Sequence, residues 1–338
     1  MSTLTRRPDV VIRELRDIAA VEAIETEWSA LWERCGGATT FQRPEWLLSW
    51  MRHFPLHEPW IIEARREERL VGLAPLFVYH AADERVIAPV GAGITDYLDV
   101  LVEDNDPQAL SAMLERLGMS DRVWHLLDLL DLPRTSLLLR ARLPAGWNGE
   151  LTLHDDCPVL YLPSAVEHLG RSVPGRQLAR LARARRRAAR AGAIAVEVAT
   201  PETLSELLDS LLRVHGARWE ERGGHGMLSA GAVQAFHREV AAALLERGVL
   251  RLYGLRLDGQ IVAALYAFFE ARAGFCYLQG FDPAFRELSP GLMIIGAVIE
   301  DAVRRGLGSL DFLRGREAYK YAWGARDEPT FRLRVRRR

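Results

Sequence analysis

Residues 309–324, SLDFLRGREAYKYAWG, bring two carboxylates (Asp311 and Glu317), two tyrosines (Tyr319 and Tyr321) and Lys320 into one short stretch. Lys320 is the only lysine of the chain; every other member of the 44 Lys+Arg is arginine. With only two asparagines, Asn105 and Asn148, this bias fits a GC-rich genome in which lysine drifts to arginine wherever charge alone matters. An ammonium is a compact, deprotonatable point charge, whereas a guanidinium is a wide and permanently charged fork. A lysine retained in such a segment is a site candidate. The chemistry these side chains fit is acyl transfer to an amine or hydroxyl, which needs a base, an oxyanion stabiliser and a fixed donor. Asp311 or Glu317 would take the proton. Lys320, or a backbone amide exposed where two strands part, would hold the oxyanion. Tyr277 or Tyr319 would protonate a departing thiolate. Asp311 reads equally as a cap or an arginine partner, and Glu317 equally as a solvated turn residue.

A second group precedes it. Ser289-Pro290-Gly291 opens a helical stretch: serine is a good N-cap, proline suits the first helical position, and glycine lets a ligand approach the backbone. A helix start set directly after a strand can bind phosphate through its amides and dipole. Tyr277 and Gln279 alternate on that strand and are expected on one face. In the first half, Asp96, Tyr97 and Asp99 follow the flexible Gly91/Gly93 loop and would face a cleft, gripping a cationic or sugar acceptor. Arg218-Trp219, ahead of the loop Gly223-Gly224-His225-Gly226, would form an acceptor lid.

The elements that must position these residues follow from apolar spacing. The first half predicts a strand at 10–15, one helix over 19–35, a helix over 42–54, and strands at 60–65, 69–79, 85–89 and 97–102. A helix at 107–117, a strand at 123–129, a helix at 133–143 and strands at 151–153 and 158–162 complete it. The second half predicts a basic helix over 171–190 with eight arginines, a strand at 194–198, and helices over 204–220 and 232–247. Three antiparallel strands follow at 250–257, 261–270 and 274–281, the first two joined by the hairpin signal Asp258-Gly259. A helix at 292–305, a strand at 310–313, an aromatic turn and a last strand at 330–335 close the chain. The order repeats, so the fold class expected is α/β with mixed sheets, a duplicated unit at 1–160 and 161–338, the last strand crossing to the first unit.

The 338 residues suffice for two such domains, and a net charge of −1 exerts no global pull on nucleic acid, so DNA is not an expected partner. Cys35, Cys157 and Cys276 lie far apart without CxxC spacing, which fits a reducing cytosol. No HExxH, Walker or GxGxxG pattern occurs, so no metal is expected, and no run of ~18 apolar residues would span a membrane.

Residues 281–324, from FDPAFRELSPG to YKYAWG, together with the repeated order, resemble the Gcn5-related N-acetyltransferase (GNAT) superfamily. The branch they look like is the double-domain group of CelD-type acyltransferases of cellulose biosynthesis, with the FemABX peptidyltransferases more distant. The resemblance covers most of the chain and is strongest over 251–324. It implies two tandem GNAT units, each a mainly antiparallel mixed sheet flanked by helices. It implies acyl-CoA, foremost acetyl-CoA, as co-substrate, with phosphates held by Ser289, Gly291 and Leu292 and the pantetheine arm along Gln279 and Phe281. Tyr319-Lys320 matches the aromatic–Lys pair that FemABX-like transferases set near the reacting carbonyl. The acceptor implied is a small molecule or glycan precursor. The family's phosphate loop is rich in glycine; here 281–291 offers only Gly291 and carries Asp282 and Glu287, which leaves an aminoacyl-tRNA donor open. A non-catalytic scaffold of exopolysaccharide assembly is the rival of another class.

Overall fold

The computed structural model describes residues 9–55, 58–104, 106–119, 124–220 and 230–337, without the side chains of 217–220. The chain forms two compact units, Met1–Asp155 with Pro329–Arg338, and Asp156–Glu328.

The first unit runs β1 (Val10–Leu15), α1 (Ile18–Ala23), α2 (Glu25–Arg34), α3 (Pro44–His53), β2 (Glu58–Arg66), β3 (Arg69–Ala81), β4 (Glu84–Pro89), β5 (Leu101–Val102), α4 (Pro107–Met119) and β6 (Leu126–Pro133), and the chain leaves it within β7 (Trp147–Tyr161). The second runs α5 (Gly175–Ala191), β8 (Ile194–Val198), α6 (Leu204–Glu220), α7 (Gly231–Glu246), β9 (Leu250–Leu257), β10 (Gln260–Phe269), β11 (Ala273–Phe281), α8 (Pro290–Arg304), β12 (Ser309–Asp311) and α9 (Ala318–Ala322), and the chain returns within β13 (Arg326–Arg337).

The strand orders are β1-β2-β3-β4-β6-β13 in the first unit and β8-β9-β10-β11-β12-β7 in the second. Along each order the pairs are antiparallel three times, then parallel once, then antiparallel once. The parallel step needs a crossover, and a helix supplies it in both cases: α4 before β6, and α8 before β12. In each core, apolar faces of strand and crossover helix meet. Trp60, Leu76, Met113 and Leu127 belong to the first, and Leu181, Leu265, Ile294, Val298 and Leu310 to the second. Burying each such side chain contributes about 1.5–3 kcal/mol.

Several sequence expectations are corrected. The helix expected over 19–35 is two, with Ile24 serving as C-cap of α1 and N-cap of α2. The helix expected over 133–143 is only a 3-10 turn, Leu137–Arg140, capped by the Ser136 hydroxyl; of its leucines only Leu138 is buried, so no apolar helical stripe faces a core. The strand expected at 97–102 pairs only at Leu101–Val102. Before it, Asp99 Oδ1 captures the Val100 amide at 2.8 Å, and the Leu98 amide donates to the Asp131 carbonyl. The two strands expected at 151–153 and 158–162 are the single β7. The Asp258-Gly259 signal forms its hairpin, with φ of 48° and 84° as a primed turn requires.

Candidate active site

The site starts where β11 and β12 part. They pair in parallel only at Ala273↔Ser309, Gly274↔Leu310 and Phe275↔Asp311. Beyond Phe275, β11 continues to Phe281 on β10 alone. Its register there slips by one: Tyr266 faces Leu278 and Ala267 faces Cys276, so Tyr277 is the extra residue of a β-bulge. The bulge resets the alternation expected of Tyr277 and Gln279. The Tyr277 ring lies against His237 of α7 and Tyr266, at centroid distances of 5.6 and 5.9 Å, while Gln279 lines a pocket on the α5 and α8 side. Gly280 permits the close approach of α6, since a Cβ there would sit 2.7 Å from the His215 amide nitrogen.

That pocket holds about 300 Å³. Gln279, Gly280 and Phe281 of the opened strand form one wall, Ser289, Pro290, Gly291, Leu292 and Ile295 of the α8 start another, and Tyr319, Ala322 and Trp323 of α9 a third. Every cofactor residue expected from sequence is therefore brought to one place. Gly291 fits because the Phe281 ring lies 3.3 Å from where its Cβ would be. Ser289 departs from expectation. It caps α8 by backbone alone, in the left-handed region (φ 59°), and makes no side-chain cap bond; Arg187 Nη2 of α5 instead donates to its Oγ at 2.9 Å.

Gln177, Arg180 and Arg286 complete the lining, and none was foreseen. The helix expected over 171–190 spans Gly175–Ala191 and buries Gln177, Leu181, Ala184 and Ala188 against its own unit. Gly296 of α8 meets it there, with the Leu181 side chain 2.7 Å from a Cβ at that position. At 100° per residue, Arg176, Arg180, Arg183 and Arg187 fall on one flank of the buried stripe. All four are exposed. Arg180 donates to Gln177 Oε1 and Arg187 to Ser289 Oγ, both uncharged acceptors. Arg185, on the other flank, is neutralised by Glu300 at 2.8 Å. Beside Arg286 of 281–291, α5 thus adds a basic flank to the pocket, and plotting the arginines around Leu181 and Ala184 was the signal that would have shown it.

Lys320 does not line the pocket, and the expectation of an ammonium over the strand gap is corrected. It is 2 % exposed. Its Nζ donates to the carbonyls of Leu313, Arg314 and Gly315 at 2.9, 2.7 and 2.9 Å and pairs with Glu317 Oε2 at 2.9 Å. Three N–H donors facing four acceptors leave no hydrogen for a substrate oxyanion. Asp311 joins the same structure: its Oδ1 accepts the amide of Leu313 at 2.7 Å and so holds that residue in the left-handed region at φ 58°. Asp311, Glu317 and Lys320 are the frame of a loop that turns three carbonyls inward. Tyr319, beside them, does reach the pocket, its ring edge-on to Phe312 at 6.2 Å.

Asp96 and Tyr97 are buried in the first unit. Tyr97 packs on Phe41 and its carbonyl accepts Gln42 Nε2 at 2.6 Å, so its ring is core rather than a presented surface. Asp99 lies on the wall of a different pocket. The side chains of Arg218 and Trp219, and the loop Gly223-Gly224-His225-Gly226, lie outside the described residues. Among the described residues no group of three or more His, Cys, Asp or Glu could hold a metal ion, and no helix is long and apolar enough to cross a membrane.

Residues 175–321 match the family model of the Acetyltransferase (GNAT) domain. The match lies within the second unit. Solved structures of similar fold extend over both units. FemX superposes with a TM-score of 0.68 at 12 % identity, covering 95 % of this chain and 96 % of its own. The C-terminal domain of a putative lysylphosphatidylglycerol synthetase from Agrobacterium fabrum gives 0.58 at 15 %, covering 93 % and 92 %. L-PGS from Bacillus licheniformis gives 0.58 at 11 %, covering 91 % and 90 %. At these identities the likeness is one of fold. No curated protein matches the chain in sequence. Within the matched residues, the end of β11, where it has parted from β12, and the start of α8 line one pocket.

Proposed function

We propose that the chain transfers an acyl group from acyl-CoA to an amine or hydroxyl of a small molecule or cell-envelope glycan precursor. The observation that carries this reading is the 300 Å³ pocket at the opened edge of β11. A strand edge without a β12 partner offers main-chain donors and acceptors to an extended amide-bearing arm, as a further strand would. The start of α8 offers amides and the positive end of a dipole to phosphate. Arg180 and Arg187 add permanent positive charge beside it, and Phe281, Leu292 and Trp323 give the arm an apolar wall.

On this reading the acceptor attacks the thioester carbonyl and the resulting oxyanion is held by β11 main-chain amides. The departing thiolate is protonated by the Tyr319 hydroxyl, the tyrosine that reaches the pocket, and the proton the acceptor amine or hydroxyl loses on attack returns through water to the tyrosinate. Lys320, Asp311 and Glu317 position Tyr319 by fixing the loop before α9. Thermal-shift titration with acetyl-CoA and longer acyl-CoAs tests the donor: a saturable rise in melting temperature is expected, and a flat response to all of them overturns the reading.

A second reading, an aminoacyl-tRNA donor, is favoured by the same exposed flank of Arg176, Arg180, Arg183 and Arg187, which extends along α5 beyond the pocket. Its mark would be RNA that co-purifies through moderate salt.

A further inference from the structure

The first unit has a pocket of its own, of about 290 Å³, lined by Cys35, Gly37 and Ala38 after α2, Gln42, the segment Asp99–Val102, Asp104, Thr135 and Leu137. Its chemistry is opposite to that of the GNAT pocket. Two of its lining residues are carboxylates and none is Lys, Arg or His. Arg34, next to Cys35, is turned to the carbonyls of Ala30 and Leu70 and to Glu103, and Arg43, next to Gln42, lies over the Trp32 ring at 3.6 Å. Gln42 is held in place: its Nε2 donates to the Tyr97 carbonyl and its Oε1 accepts from Thr39. Asp104 Oδ1 accepts the Gly36 amide at 3.1 Å. Asp99 Oδ1 takes two donors, Ser136 Oγ and the Val100 amide, both at 2.8 Å. Its Oδ2 is the acceptor left for a ligand.

We propose that this pocket binds a small primary ammonium compound, its head on Asp99 Oδ2 and its carbon body in the space toward Leu137. The lining selects among cations. Cys35 lines the pocket with the two carboxylates, but among the described residues no three His, Cys, Asp or Glu are placed so that they could hold a metal ion. A guanidinium is recognised through two parallel bonds to one carboxylate, and Asp99 has one oxygen to give. A quaternary ammonium is held by aromatic faces, and no aromatic lines the pocket. A primary ammonium needs one strong acceptor and weaker ones around it, which Asp99, Asp104 and Thr135 provide. Burial pushes the Asp99 carboxyl up to about 7 against the bonds from Ser136 and Val100, as expected for a carboxylate that lacks a cation in the protein itself. This site does not depend on the acyltransfer reading and would stand if that reading failed.

The test is calorimetric titration of the full chain at pH 8 with n-butylammonium chloride, n-butanol and sodium butyrate. Butylammonium is expected to bind one saturable site at least about tenfold more tightly than butanol, the size of a charged hydrogen bond, with no heat from butyrate. Asp99→Asn is expected to lose at least that factor. Equal binding of amine and alcohol, or an Asp99→Asn variant that titrates like the parent, overturns the proposal. Should Asp99→Asn not fold, crystals soaked in butylammonium decide: nitrogen within hydrogen-bond distance of Asp99 Oδ2 supports the site, and nitrogen anywhere else overturns it.

Discussion

The start of α8 and the start of α4 occupy the same step of the same strand order, each on the crossover between the parallel strands of its unit, and they are finished in opposite ways. At α4 the cap is Asp106. Its carboxylate accepts the Ala109 amide at 3.2 Å and is gripped by Arg66 at 2.7 and 2.8 Å. Both side chains are buried. The helix end is satisfied from within, and along the helix body only about 10 Å³ is left among Leu110, Met113, Leu127 and their neighbours. At α8 the cap is Ser289, with no carboxylate at the helix end, a 300 Å³ pocket in front and arginines on its rim. One unit supplies its own anion; in the other, on the proposed reading, the donor phosphate takes that place. The difference teaches that a fold can be used twice and its site once, the choice resting on a single cap residue and what pairs with it.

The comparison breaks most visibly at the closed end. Asp106→Ala should cost about 3–5 kcal/mol, because it strands the buried Arg66 charge; urea unfolding measures it, and a loss below about 1 kcal/mol would show that the plug is not structural. The Lys320 frame comes next. Lys320→Met should cost about 2–4 kcal/mol by leaving three carbonyls and Glu317 without their donor. If acyl transfer persists once temperature is lowered to restore folding, Lys320 is a positioning residue; a stable variant with abolished turnover would return it to the chemistry.

Acid sharpens the picture of the wall behind β11. His237 is pushed down to about 3 by burial and by neighbouring His215. The neutral form belongs to the folded state and the unfolded pKa lies near 6.5, so this stability is fully present above pH 6.5 and falls as pH drops toward 3. About 2 kcal/mol should be lost by pH 5; His237→Phe should flatten that slope, and an unchanged slope would contradict it. The open end gives smaller effects on stability and larger ones on affinity. Arg187→Glu should raise the donor KM about 10–30-fold with little change in kcat, read by steady-state kinetics, since a phosphate contact is uniform binding. Ser289→Ala, which removes no cap bond, should change stability by less than about 0.5 kcal/mol, in contrast to Asp106→Ala.

The fold was legible in the sequence where local signals agreed with the core. The continuous apolar strands around Asp258-Gly259 and the apolar stripe of α8 are of this kind. It was not legible where a side chain took a backbone amide, as Asp99 does ahead of β5, or where an added residue reset a strand face, as at Tyr277. The pocket residues Gln279, Phe281, Ser289, Gly291 and Leu292 were readable because they lie close along the chain. Arg180 and Arg187 were not, because they reach the pocket from a helix about a hundred residues earlier, and a run of arginines shows its direction only after folding. Lys320 misled because rarity marks importance without saying of what kind; its ammonium is indispensable to a loop.

The central claim is that donor phosphate and pantetheine lie between the opened β11 edge and the start of α8. Calorimetric titration of acetyl-CoA into the parent and into Gly291→Val tests it most directly, because the added side chain meets Phe281 and narrows that space. Saturable one-to-one binding in the parent, weakened at least about tenfold in a Gly291→Val variant of unchanged melting temperature, is the predicted result. Equal affinity in the two proteins, or no binding to the parent, would contradict it.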